Sequence, residues 1–157
     1  MKKLVLLFGM MFLLAACNQA DDLPVEVTGE AISLEKSMNQ ELPEMSVYHL
    51  PATWTNQDAQ EIQLEDMRGK VVVMVMIYTS CKSACPRLVA DMRNIERQVP
   101  KEYLDDIQFV MVSIDPETDT PQRLKAFSED NQMTDDHWMF LRGSEADTRE
   151  FAAVLAV

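Results

Sequence analysis

The residues best equipped for chemistry are Cys81 and Cys85, in the segment Thr79-Ser80-Cys81-Lys82-Ser83-Ala84-Cys85-Pro86. Four residues of separation let both sulfurs face one side if the segment is helical, and let them close on one another or on one ion if it is a loop. The pair can therefore chelate, exchange disulfides with a partner, or form a static cross-link. A cross-link over so short a loop removes little unfolded-chain entropy, so its structural value is small. Soft thiolates select soft ions such as Cu(I), whereas two thiols leave the four-ligand set of structural zinc incomplete. Either chemistry runs through the thiolate, which a helix amino terminus and the neighbouring Lys82 would favour.

Positioning falls to the elements on either side. Val71 to Tyr78 is a continuous apolar run rich in β-branched residues, which predicts a central strand buried on both faces of a parallel sheet. After Cys85-Pro86, apolar residues recur at Leu88, Val89, Met92 and Ile95, a helical spacing with proline where a helix start tolerates it. The thiols then lie at the carboxyl end of a strand, where sites in open α/β sheets gather. Ile107 to Ile114 predicts a second buried strand, completing a right-handed crossover. Thr120-Pro121 opens a helix carrying Leu124 and Phe127. A short strand at Trp138 to Leu141 follows, then a helix capped by Ser144 with Phe151, Val154 and Leu155 as its apolar stripe. That helix shows no stop signal before Val157, so a fragment, or a core finished by a partner, is expected. Upstream, Tyr48 to Asn56 and Ile62 to Leu64 read as a strand or hairpin leading to a turn at Arg68-Gly69-Lys70.

The first residues suggest export. Met1-Lys2-Lys3, the apolar run Leu4 to Leu14 and Ala15-Ala16-Cys17 form a basic segment, a short hydrophobic segment and a small-residue cleavage site. The run is too short to cross a hydrocarbon core of about 30 Å as a helix. Leu14-Ala15-Ala16-Cys17 also resembles the bacterial lipobox, which makes Cys17 the lipidated first residue of the mature chain and leaves Cys81 and Cys85 as the remaining thiols. Residues 1–16 are thus read as a signal peptide, 17–46 as a lipid-anchored flexible tether and 47–157 as one domain, facing the extracytoplasmic space.

Composition agrees with one globular domain: of 157 residues 47% are hydrophobic and 25% charged. The formal net charge of −12 argues against nucleic acid as a partner and suits a cationic ligand, or simply solubility. His49 and His137 read as surface or turn residues, and neither is assigned to metal. Asp115 and Asp119 follow the second buried strand and fit either turn formation or the support of a ligand. Met74, Met76, Met92 and Met111, with Trp54 and Trp138, read as core or sheet-edge residues.

Taken in order, Tyr78-Thr79-Ser80-Cys81, Cys85-Pro86, Val112-Ser113-Ile114-Asp115-Pro116, Glu117-Thr118-Asp119-Thr120-Pro121 and Trp138 to Gly143 resemble the SCO/SenC family. The resemblance spans about Val47 to Val157. It implies an α/β, thioredoxin-like fold, a central sheet with flanking helices, with the final elements lying beyond this chain. It further implies copper held by Cys81 and Cys85, together with a histidine on a later loop that His49 and His137 do not match. The implied role is to assist assembly of the dinuclear copper centre of cytochrome c oxidase, with that enzyme's copper-binding subunit as partner. Thiol:disulfide exchange through the same cysteines, with a thioredoxin-like redox partner, is the alternative. The extra residue relative to the Cys-x-x-Cys of thioredoxin-like reductases argues for metal.

Overall fold

The computed structural model describes residues 42–156 apart from Met45 and Ala84. The expected signal peptide, Cys17 and the tether as far as residue 41 lie outside the described residues.

The sheet has five strands in the order β2-β1-β5-β4-β3. β1 (Thr53–Asn56) and β2 (Glu61–Gln63) form an antiparallel hairpin, and β1 also runs antiparallel to β5 (Trp138–Arg142). β3 (Val71–Ile77), β4 (Ile107–Ser113) and β5 are mutually parallel, with Val71 opposite Ile107 and Phe109 opposite Trp138. Where β1 stops pairing with β5, the Gln57 side chain continues the ladder: its Oε1 accepts from Phe140 N–H at 2.9 Å. Short 3-10 turns at Val47–His49, Leu64–Met67 and Lys101–Asp106 lead into or between strands.

Three helices complete the fold: α1 (Cys85–Gln98), α2 (Pro121–Asp130) and α3 (Glu145–Leu155). Their starts follow from local chemistry. Thr120 Oγ1 accepts from Arg123 N–H ahead of Pro121, and Ser144 Oγ accepts from Asp147 N–H, satisfying donors that have no partner within the first turn. One core lies between the sheet and α1 and α2, built on Val89, Met92, Phe109, Met111, Leu124 and Phe140. A second lies on the other face around Trp54, Val110, Val112, Leu141 and Phe151. The Trp54 ring stands edge-on to Phe151 and lies so near Gly143 that a Cβ there would fall 2.9 Å from it. Glycine is therefore the residue that lets β5 turn into α3.

Two sequence expectations change. Val71 to Tyr78 is not the central strand among the described residues: β3 lies at the sheet edge, half-buried along most of its length, with Val71 53% exposed. β4, between β5 and β3, is the strand buried on both faces. A continuous apolar run reports that both faces meet apolar neighbours, and Val73 and Val75 do pack on one core and Val72, Met74 and Met76 on the other. It does not report how many strands flank it. The helical stripes also shift, since Ile95, Val154 and Leu155 are exposed, while Glu96 and Thr148 take positions turned toward the protein.

Candidate functional site

β3 ends at Ile77, whose carbonyl accepts from Ile114 N–H at 2.8 Å, so the loops after β3 and β4 leave the sheet side by side. The first makes an immediate turn, Cys81 N–H donating to Tyr78 O at 3.1 Å, and four residues later α1 begins at Cys85. Both cysteines are free thiols; Cys81 is half-buried and Cys85 buried. The amide of Cys85, one of the helix-terminal N–H groups that lack an intrahelical acceptor, donates to Cys81 Sγ at 3.4 Å. The chain thus brings the two residues together with one sulfur over the start of the helix.

This geometry makes the thiols unequal. The Tyr78 hydroxyl, followed by the amides of Cys85 and Ser83 and the Cys85 side chain, stabilises charge on Cys81 and lowers its pKa to about 6. Desolvation leads in the opposite direction at Cys85, raising its pKa, and the nearby charges of Cys81 and Asp119 add to the effect. The Tyr78 hydroxyl is in turn held protonated above its usual range by its bond to Cys81. At neutral pH the site therefore offers one ready thiolate and one buried thiol. Lys82, expected to favour the thiolate, is exposed and is not among the groups that shift Cys81.

Asp115 and Asp119 are treated alike in the sequence, but the structure separates them. Asp115 builds the turn: its carbonyl accepts from Thr118 and Asp119 N–H, and its own amide donates to Ser113 Oγ. Asp119 is 0% exposed and accepts from Thr79 N–H at 3.1 Å, Thr79 Oγ1–H at 2.5 Å and Ser113 Oγ–H at 2.6 Å. Arg123 Nε lies 3.8 Å from Asp119 and donates to Thr79 Oγ1 at 2.6 Å. A buried carboxylate needs donors of this number. Here they tie the start of the cysteine loop to the end of β4 and to α2.

Tyr78, Thr79, Ser113 and Arg123 are the functional neighbours that sequence reasoning left without roles. Their signal was weak: a residue of each adjoins a recognised strand end or helix cap, but nothing in the spacing links Arg123 to Thr79. The two histidines lie elsewhere. His49 Nε2 is 2.9 Å from Pro43 O, and His137, half-buried in the turn that enters β5, has Nε2 2.7 Å from Glu96 Oε1. Among the described residues neither joins the sulfurs.

The SCO1/SenC family model matches residues 41–157. The SCO1 protein homolog of Bacillus subtilis (strain 168) is 35% identical over 103 residues, covering 65% of this chain and 53% of that protein. A Stutzerimonas stutzeri protein named "Putative copper-binding protein" is 32% identical over 72 residues, 46% of this chain and 35% of its own. Among solved structures, a SCO1/SenC family lipoprotein from Bacillus anthracis str. Ames superposes with a TM-score of 0.58 at 36% identity, covering 64% of this chain and 60% of that one. BsSco, described with a disulfide switch and as a member of the Sco family of cytochrome c oxidase assembly proteins, gives 0.58 at 32% identity over 72% and 66%. The fold is thus the thioredoxin-like one expected, and the chain spans about half the length, or less, of the curated relatives it matches.

Proposed function

This chain belongs to the SCO1/SenC family, and from that premise we propose that Cys81 and Cys85 hold Cu(I) as cargo for the dinuclear copper centre of cytochrome c oxidase. The observation that carries the reading is the pair of free thiols joined by the bond from Cys85 N–H to Cys81 Sγ. Two sulfurs suit a soft monovalent ion, and Cys81 is a thiolate at neutral pH, so loading displaces essentially the Cys85 proton alone. Asp119 fixes the approach to the loop, and half-exposed Cys81 leaves the ion reachable by an acceptor. The names of the Stutzerimonas relative and of BsSco support copper and oxidase assembly respectively. The acceptor in this reading is the oxidase's copper-binding subunit, outside the cytoplasm, with the chain tethered through lipidated Cys17. The lipoprotein from Bacillus anthracis supports the anchor, and no helix among the described residues is long and apolar enough to cross a membrane. A histidine donor, as the resemblance implies, would join the sulfurs from outside the described residues.

Anaerobic Cu(I) titration against a chromophoric chelator tests this. One tightly held copper per reduced chain, lost in Cys81→Ser/Cys85→Ser, is expected; equal binding by the variant overturns the proposal.

The inequality of the thiols favours a second reading, disulfide exchange. The Cys81 thiolate attacks a partner disulfide, forming a mixed disulfide and expelling one partner thiolate. Cys85, once deprotonated, attacks Cys81 Sγ and releases the second. The partner gains two electrons and Cys81–Cys85 becomes the disulfide. Trapping with a Cys85→Ser chain, which would accumulate the mixed disulfide, distinguishes this reading from copper transfer.

A further inference from the structure

Glu96, Asp135 and His137 each bring one ligand atom to within 4.8 Å of the others. They lie at the end of the sheet where the parallel strands begin, whereas the thiols lie where β3 ends. Glu96 is in the last turn of α1, roughly 16 Å along the helix from Cys85. Asp135 and His137 are in the turn that enters β5.

The cluster is held in place by its surroundings. His137 O accepts from Phe109 N–H at 2.8 Å, and Asp135 O accepts from Trp138 N–H at 2.9 Å, so the backbone beneath both side chains is fixed. Trp138 Nε1–H donates to Glu96 Oε1 at 2.8 Å and orients the carboxylate, while the His137 ring stands edge-on to Phe109. The His137 and Glu96 side chains are 14% and 17% exposed, and Asp135 is open to solvent. Among the described residues neither Glu96 nor Asp135 pairs with a lysine or arginine. Two carboxylates thus converge on one imidazole, with no lysine or arginine ion-paired to them among the described residues, in a chain of net charge −12.

We infer that Glu96, Asp135 and His137 form a second metal site, for a divalent ion of the zinc or copper(II) class. One nitrogen and two carboxylate oxygens match borderline ions, do not suit Cu(I), and differ from the all-oxygen shells that magnesium and calcium take. Three protein donors leave a fourth position for water, as in exchangeable rather than closed zinc sites. Without the ion His137 Nε2–H donates to Glu96 Oε1; on loading that proton leaves Nε2, the ring keeping its proton on Nδ1, so that the freed Nε2 lone pair faces the ion while the Trp138 indole continues to hold Glu96. The ion then ties the end of α1 to the entry of β5.

The test is calorimetric titration with Zn2+ of the full chain carrying Cys17→Ser, Cys81→Ser and Cys85→Ser, which removes thiol binding. One Zn2+ per chain is expected, weakened at least about tenfold by Asp135→Asn and by His137→Gln, and unchanged by His49→Gln. Zinc should also raise the thermal midpoint, a shift that Asp135→Asn removes. Absence of Zn2+ binding, or binding that Asp135→Asn leaves intact, overturns the site. Because Asp135 is exposed, that variant decides the matter even where His137→Gln fails to fold.

Discussion

The two ends of the parallel strands are organised by the same device, a carboxylate that gathers several donors, but in different surroundings. At the thiol end Asp119 is sealed from solvent and takes three hydrogen bonds from Thr79 and Ser113. At the other end Glu96 retains 17% exposure and faces His137 and Trp138. The contrast teaches that burial, more than the number of partners, decides what a carboxylate does. Asp119 is committed to holding a loop still beside soft sulfur donors. Glu96 keeps access to water and a set of nitrogen and oxygen donors that an ion can enter.

The largest effect that would break this comparison comes from Asp119→Ala. It strands Thr79 N–H and leaves Arg123 without its buried counterpart, and should cost about 3 kcal/mol of stability by denaturant unfolding. A loss below about 1 kcal/mol would mean that the sealed carboxylate is not the organiser described.

Next in size is the division between the thiols. At pH 7, in a chain carrying Cys17→Ser, the Cys81 thiolate should dominate alkylation by iodoacetamide, and Cys81→Ser should slow total labelling at least about tenfold, while Cys85→Ser should not. Labelling of Cys81 should be half-maximal near pH 6. Tyr78→Phe removes the leading contribution, so that midpoint should move upward, read from thiolate absorbance. Because folding lowers the Cys81 pKa, the stabilisation tied to its thiolate is complete above about 8.5, where the unfolded thiol also ionises, and is lost as pH falls through about 6. Tyr78→Phe should flatten that dependence.

The two ends also differ in how far the sequence exposes them. Cys81 and Cys85 are legible because their chemistry is carried by residue type and by a spacing that places them between a strand and a helix. The strand-helix-strand order around them is legible for the same local reasons, as are the caps at Thr120 and Ser144. The edge position of β3 among the described residues is not, because strand neighbours are set by pairings distant in the chain, and an apolar run reads alike in both places. Tyr78 as a donor to Cys81 and Arg123 as a donor to Thr79 depend on contacts that no local period encodes. Glu96 left a trace: Cys85, Val89 and Met92 face the core, and the next position on that stripe is Glu96 rather than the apolar Ile95. A charged residue on the buried face of an amphipathic helix implies an internal partner, here the Trp138 indole and His137.

That trace supplies the smallest and most discriminating prediction. Glu96→Gln keeps the length of the side chain and a carbonyl oxygen for Trp138 Nε1–H, but removes the charge. Since water already reaches this end, the protein should lose only about 1 kcal/mol, well under the loss at Asp119. The same substitution takes away one of the two carboxylates that balance a divalent ion, so zinc binding should fall far more than stability. If instead Glu96→Gln destabilises the chain as much as Asp119→Ala, exposure is not what distinguishes the two ends. Glu96 would then be a second structural anchor, whose imidazole and indole partners serve packing alone.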